Sequence, residues 1–143
     1  EDNAFTSWDY TAYFQSVSKN NLSTVMALEA ERMINITLPE AEIEKERKVI
    51  IEERHMRVDN APQQLFTEQL RALLFTATPY EVPILGWHDE MPKLARTDVL
   101  NYYKKWYAPN NAILVVSGDV TTNDVKPLAE KFYGVIPFMA VPE

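Results

Sequence analysis

Hydrophobic and polar positions follow two different periods along this chain. Residues 5–17 mix aromatic, Thr and Val side chains at a period of two, which predicts one long strand. Apolar side chains then recur three and four residues apart, which is typical of helices packed on one face. Asn, Pro and Thr-Asp positions mark helix starts, and Gly134 marks a stop. The predicted helices cover residues 22–34, 39–58, 62–75, 99–106 and 122–133.

A second strand is predicted at residues 112–117, where the nearly continuous apolar run is typical of a buried strand. In the third predicted helix, the apolar face is expected to be buried. Two strands make too small a sheet for these helices, so we expect the missing strands to precede Glu1. The members of that apolar face are Leu65, Phe66, Leu70, Leu73 and Leu74.

Composition agrees with a single globular domain covering residues 1–143. The chain has 46% hydrophobic and 24% charged residues, which is ordinary for such a domain. Its formal charge of −7 argues against nucleic acid as a partner, because phosphate binding requires clustered basic residues. The chain contains no Cys and no apolar run approaching the roughly 20 residues of a membrane span. Neither a disulfide nor a thiolate metal site is therefore expected.

Glu46 and Glu53 are the most informative residues of the second predicted helix. They lie seven residues apart, so they share one face two turns apart. Carboxylates in an apolar arc need compensation by a cation, a metal or a catalytic role. The alternative is an ordinary amphipathic helix with an i,i+4 pair between Glu53 and Arg57, worth a few tenths of a kcal/mol. The apolar members of the arc are Ile43, Val49, Ile50 and Met56.

Four short motifs occur in a fixed order along essentially the whole chain. They are N-A-F-T-S at residues 3–7, E-x-E-R-x-x-x-I-x-E at 44–53, W-Y-x-P-x-N-A at 106–112 and G-D-V at 118–120. This order and spacing resembles the catalytic N-terminal domain of the pitrilysin/insulinase family of zinc metallopeptidases, the inverzincins. Within that family, the chain most resembles the bacterial members.

The resemblance implies an α+β fold, with a mostly antiparallel sheet and helices packed on one side. It implies that Glu53 is the third zinc ligand and that Glu46 orients a ligand His or tunes the charge of the site. Asn3, Ala4 and Phe5 match the active-site edge strand, where an extended peptide adds as a further strand. The alternative for these three residues is a plain strand end with a core Phe.

The family also carries H-x-x-E-H, with two zinc-binding His and a Glu that activates water. This chain has only His55 and His88, and neither lies in such a motif. We therefore expect the motif before Glu1, and we expect the isolated chain to be inactive and to lose its zinc. His55 points away from the ligand face and His88 lies in a predicted loop, so both are interpreted as ordinary surface or packing residues.

Two functions remain open at this point. The first is part of a zinc metalloendopeptidase that cleaves peptides or unfolded segments in a chamber closed by a homologous second half. The second is a non-catalytic homologue that serves as a scaffold or peptide-holding subunit. Such homologues commonly lose zinc-site residues, so the presence of Glu46 and Glu53 favours the enzyme. Bacterial members often carry an export signal, and the expected compartment is therefore the periplasm.

Overall fold

A β-hairpin opens the chain in the computed structural model, which describes residues 1–142. Strands β1 (Asp2–Thr6) and β2 (Thr11–Gln15) form a two-stranded sheet. The predicted single strand over residues 5–17 is therefore wrong. A tight turn divides it, in which the Ser7 amide donates to the Tyr10 carbonyl at 2.8 Å. Ser and Asp favour such turns because their short polar side chains compete with strand pairing, and a period of two cannot reveal that reversal.

Five α-helices follow within residues 1–142, and each of the five helix predictions is confirmed to within a few residues. Together with the hairpin they confirm the predicted α+β class. No helix within residues 1–142 combines the length and apolar composition of a membrane span. The helices are α1 (Leu22–Asn35), α2 (Glu40–Arg54), α3 (Pro62–Leu74), α4 (Arg96–Trp106) and α5 (Thr122–Phe132). Short 3₁₀ turns lie at Lys19–Asn21, Pro79–Glu81, Met91–Lys93 and Pro109–Asn111.

The end of α2 changes its hydrogen-bonding pattern. The α-helix stops at Arg54, and a π-helical turn continues over His55–Asp59. There the Asn60 amide donates to the His55 carbonyl at 3.0 Å, an i→i+5 bond. Single π turns are rare in proteins as a whole, and those that occur are often found at functional sites. The predicted end of the helix near residue 58 is thus confirmed, but the last turn is a π-helical turn, which is wider than an α-helical one.

The chain forms two compact units. The first comprises Glu1–Asn3, Phe14–Thr37 and the chain from Thr97 onward. Within it, α1 packs against α5 and contributes buried Met26 and Ala30. The Tyr103 hydroxyl on α4 donates to the Arg32 carbonyl of α1 at 2.9 Å.

The second unit comprises Ala4–Tyr13 and Leu38–Arg96. In it, α2 contacts the Met91–Lys93 turn, and Met91 is buried. The tip of the hairpin is fixed to the segment after α3. There the Trp8 indole donates to the Val82 carbonyl at 3.0 Å, and the Arg71 guanidinium lies 3.7 Å from the Trp8 ring centroid. The single domain expected for residues 1–143 stays a prediction.

The predicted strand at residues 112–117 is wrong. This segment is in no strand of the described residues, and Ile113 and Val115 are 92% and 81% exposed. An apolar run becomes a buried strand only when neighbouring strands pair with it and other layers cover both faces. Within residues 1–142, the only paired strands are β1 and β2. The apolar composition of this run favours burial, but residues 1–142 do not bury it.

The apolar face of α3 differs from its prediction in the same way. Phe66, Leu70, Leu73 and Leu74 were expected to be buried, but they are 64%, 43%, 75% and 69% exposed. Leu65 is half-buried. Helical spacing shows which side chains share a face, but it does not show what covers that face. The described residues leave this face open to solvent.

Candidate functional site on the second helix

Glu53 lies in the last turn of α2 and is partly accessible. Its side chain is 31% exposed, and its Oε1 forms an ion pair with Arg57 Nη1 at 2.7 Å. This i,i+4 ion pair is the ordinary helical interaction that the sequence left open as an alternative. Because Arg57 itself is 72% exposed, the pair is weak and its cation is readily displaced. The Glu53 carboxylate is thus accessible to a competing ligand.

Glu46 lies two turns before Glu53 and is exposed. Of the apolar side chains of this arc, Val49 and Met56 are 52% and 71% exposed, whereas Ile43 and Ile50 are half-buried. The expectation that the two carboxylates lie within a buried apolar arc is therefore wrong. Water solvates both groups, so burial does not require a compensating cation or metal. What the structure retains from that expectation is their position on one accessible face of α2.

The end of this face is an open surface patch, formed only by side chains of α2 and of the π-helical turn. Glu53 belongs to the patch, and Glu46 lies two residues before its first member. The patch combines an apolar surface with charged groups of both signs. Its members are Lys48, Val49, Glu52, Glu53, Met56 and Arg57.

Asn3, Ala4 and Phe5 all lie in β1 and are exposed. Phe5 is 48% exposed, and its ring meets the Tyr10 ring edge to face at 5.7 Å between centroids. Phe5 is therefore not a core residue within residues 1–142, contrary to the structural alternative. Because β1 is one of only two strands in the described sheet, it lies at a sheet edge. An edge strand is the element to which an extended peptide can add.

Arg54 occupies the opposite environment from Glu53, because its side chain is only 4% exposed. Its Nη2 and Nη1 donate to the two carboxylate oxygens of Glu68 on α3, at 2.7 and 2.9 Å. Its Nη1 also donates to the Gly86 carbonyl at 2.8 Å, and its Nε lies 3.3 Å from Asp59 Oδ1. The hydrogen bonds that Arg54 donates to Glu68 raise the pKa of Arg54, while burial opposes that rise. This side chain therefore fastens α2, α3 and the segment after residue 85 together.

The structure brings together two histidines that the sequence does not show as neighbours. His88 Nδ1 lies 3.1 Å from Asp59 Oδ2, and His55 Nε2 lies 3.6 Å from the same oxygen. The two rings are 5.8 Å apart between centroids. The four-residue spacing of His55 and Asp59 was a usable signal, because i and i+4 share a helix face. His88 carried none, since it joins them only through the fold.

The sequence matches two known family models. Residues 1–87 match the sequence model of the insulinase family, peptidase family M16. The chain belongs to peptidase family M16. Residues 93–143 match a second model of the family, described as the peptidase M16 inactive domain. The resemblance inferred from the four motifs is therefore confirmed.

Relatives of this M16 chain include bacterial proteases. It is 34% identical over 131 residues to zinc protease PqqE of Helicobacter pylori. The aligned region covers 92% of this chain and 30% of PqqE. A solved protease of Helicobacter pylori superposes with a TM-score of 0.89 at 32% identity, covering 100% of this chain and 35% of that one. The first half of the periplasmic protease PqqL of Escherichia coli gives a TM-score of 0.82 at 26% identity, covering 99% and 31%. The chain thus spans about a third of these proteins.

The zinc expected from the M16 family can be tested against the residues present. Glu53 is an accessible carboxylate, which suits one zinc ligand. The two histidines of the sequence are engaged with Asp59, and His55 Nδ1 faces Glu52 at 3.8 Å. Residues 1–142 therefore do not by themselves form a set of two His and one Glu around Glu53. Glu53 fits as one member of such a set.

Proposed function

We propose that this chain is part of a zinc-dependent metalloendopeptidase of family M16 that hydrolyses peptides or unfolded polypeptide segments. The observation that carries the proposal is the placement of Glu46 and Glu53. Both occupy the spacing that the four-motif resemblance implies, on one accessible face of α2.

In this proposal Glu53 is the third zinc ligand and Glu46 positions a zinc-binding His. The other two ligands and the general base belong to an H-x-x-E-H segment outside these 143 residues. The zinc, when bound, polarises the scissile carbonyl and acidifies the attacking water. Without metal, Arg57 Nη1 pairs with Glu53 Oε1 at 2.7 Å. Because the Arg57 side chain is exposed, it can move away when a metal binds.

Peptide binding is assigned to the edge of β1. Main-chain hydrogen bonds to an added strand give affinity without demanding a particular sequence, which suits a peptidase of broad specificity. Asn3 and Ala4 provide this edge, and the exposed ring of Phe5 lines a pocket beside the scissile bond. The Tyr10 ring packs edge to face against the Phe5 ring, with 5.7 Å between the ring centroids. This contact orients the Phe5 ring before a peptide binds.

Partner and compartment are proposed on the same basis. A homologous second half or partner subunit closes the chamber around the peptide. This agrees with the share of the two solved M16 neighbours that the chain covers, 35% and 31%. The periplasm is proposed as the compartment, supported by the likeness to a periplasmic protease. The isolated 143-residue chain is proposed to be inactive, since one carboxylate binds zinc only weakly.

A non-catalytic role is the second candidate. It is favoured by the match of residues 93–143 to the family's inactive domain. In that case the chain holds a peptide or a partner, and Glu53 has no metal. The presence of both Glu46 and Glu53 argues for the enzyme, because a scaffold has no need of either.

The test uses the full-length protein that contains this chain. It is assayed on a quenched fluorescent peptide before and after dialysis against a chelator, and again after zinc is added back. The enzyme requires hydrolysis that the chelator removes and zinc restores. Peptide binding without hydrolysis in the zinc-loaded protein identifies the non-catalytic role. The 143-residue chain assayed alone is the matched control, and hydrolysis by it contradicts its proposed inactivity.

A further inference from the structure

We propose that His55, Asp59 and His88 form a second divalent-metal site, of the zinc class, separate from Glu53. One potential ligand atom from each residue lies within 4.8 Å of the other two. Two imidazoles and one carboxylate are a ligand set that zinc and neighbouring transition metals accept. This inference does not rest on the proposed peptidase function, since none of the three residues belongs to the motifs of that site.

The distances suit a tetrahedral ion after small side-chain rotations. Zinc binds imidazole nitrogen at about 2.0–2.1 Å and carboxylate oxygen at about 2.0–2.2 Å, so tetrahedral ligand atoms lie about 3.4 Å apart. Asp59 Oδ2 lies 3.1 Å from His88 Nδ1 and 3.6 Å from His55 Nε2. Because the His88 side chain is 59% exposed, solvent can reach the cluster and a water can take the fourth position.

Two of the ligands come from the π-helical turn at the end of α2. The wider turn His55–Asp59 places both side chains on one side, and its own i→i+5 bond at 3.0 Å fixes that geometry. The two oxygens of Asp59 then have different partners. Oδ1 faces the buried Arg54 Nε at 3.3 Å, and Oδ2 faces both imidazoles. The contact with Arg54 is an ion pair without a hydrogen bond, and it leaves Oδ2 as the oxygen that faces the imidazoles.

The third ligand is delivered by a constrained loop. Arg54 donates to the Gly86 carbonyl at 2.8 Å, two residues before His88. Gly86 has a φ of +72°, and a Cβ there would lie 3.2 Å from Met91 Sδ, so a side chain does not fit this turn without strain. The Glu90 amide closes the loop by donating to the Trp87 carbonyl at 3.1 Å. His88 therefore reaches Asp59 from a fixed backbone.

The charges around the cluster are compatible with a cation. The nearest positive group, Arg54, is already paired with both oxygens of Glu68. On the other side, Glu52 lies 3.8 Å from His55 Nδ1, where a carboxylate favours the tautomer that leaves Nε2 free to bind metal. An ion here would join the end of α2 to the loop carrying His88.

The test is a titration with Co²⁺ of the full-length protein that contains this chain, because Co²⁺ reports tetrahedral nitrogen and oxygen ligands by visible absorption. Competition with Zn²⁺ follows. One equivalent is expected to bind at this site. His88→Ala, an exposed loop substitution, is expected to weaken binding at least about tenfold, the range seen when a ligand or its support is lost. His88→Gln serves as a second variant, and far-UV circular dichroism monitors the fold of each.

Glu44→Gln is the matched control and is expected to bind Co²⁺ like the unsubstituted protein, because Glu44 is exposed and belongs to neither proposed metal site. The absence of a bound equivalent that Zn²⁺ displaces overturns the site. Unchanged binding in both His88 variants, or an equal loss in Glu44→Gln, overturns it as well.

Discussion

Arg54 and Glu68 form a two-pronged ion pair that joins α2 to α3, with nitrogen–oxygen distances of 2.7 and 2.9 Å. Both side chains are shielded from water, at 4% and 12% exposure. A third bond from Arg54 reaches the Gly86 carbonyl. One side chain thus fixes both the direction of the helix that carries Glu53 and the loop that carries His88.

Removing the Glu68 carboxylate leaves the Arg54 charge without its main partner. Glu68→Ala is expected to lower the free energy of unfolding by about 3 kcal/mol, the loss typical of breaking one partner of a buried pair. Chemical denaturation measures it. Glu130→Ala is the control, since its pair with Lys126 at 3.8 Å is exposed and contributes little. Equal stability of the two variants would show that the Arg54 pair is not a stabilising contact.

The start of α5 depends on a capping box. Thr121 donates to Asp124 Oδ2 through its amide and its hydroxyl, both at 2.8 Å. These bonds, the amide first, hold the pKa of Asp124 below its ordinary 3.8. The ionised form is therefore favoured on folding, so this contribution is present above about pH 3.8 and is lost as pH falls through the depressed pKa.

Thr121→Ala is expected to lower the thermal midpoint at neutral pH and to make the loss of stability on acidification smaller, because the hydroxyl donor is gone. Thr122→Ala, at the first residue of α5, is the control and should retain both properties. Thermal unfolding followed between pH 2 and pH 7 measures them. An unchanged acid dependence in Thr121→Ala would assign the pKa of Asp124 to the amide alone.

Phe5 is expected to contact the peptide substrate. In the full-length protein, Phe5→Ala should raise KM more than it lowers kcat, because the lost contact is made in the ground state as well. Tyr10→Ala removes the same ring–ring contact from the other side and serves as the control. If both variants change KM equally, Phe5 acts only through the stability of the hairpin.

Glu46 is expected to act through a zinc-binding His. Glu46→Gln in the full-length protein should reduce kcat while leaving the zinc content near that of the unsubstituted protein, because it disturbs the orientation of a ligand more than its number. Glu44→Gln, exposed and on another side of α2, is the control. Wild-type kinetics in Glu46→Gln would make Glu46 an ordinary solvated residue.

Local patterns predicted the helices well and the environments poorly. Helical spacing and the stop at Gly134 placed α5 to within a residue, because propensity and capping are local. The exposure of Ile113, Val115 and Leu73 could not be predicted, since cover depends on other layers. The Glu53–Arg57 pair was visible as an i,i+4 spacing. The approach of His88 to Asp59 was not, because 29 residues separate them and the loop is set by Arg54.

The central claim is that Glu53 binds zinc in the full-length protein that contains this chain and that this protein is a peptidase. The most direct measurement compares Glu53→Gln with Glu52→Gln in the full-length protein, for zinc content and peptide hydrolysis. Glu52 is the neighbouring carboxylate and is 72% exposed. We expect Glu53→Gln to bind one zinc fewer per chain and to lose hydrolysis, while Glu52→Gln keeps both. Full zinc content and full hydrolysis in Glu53→Gln would remove Glu53 from the site.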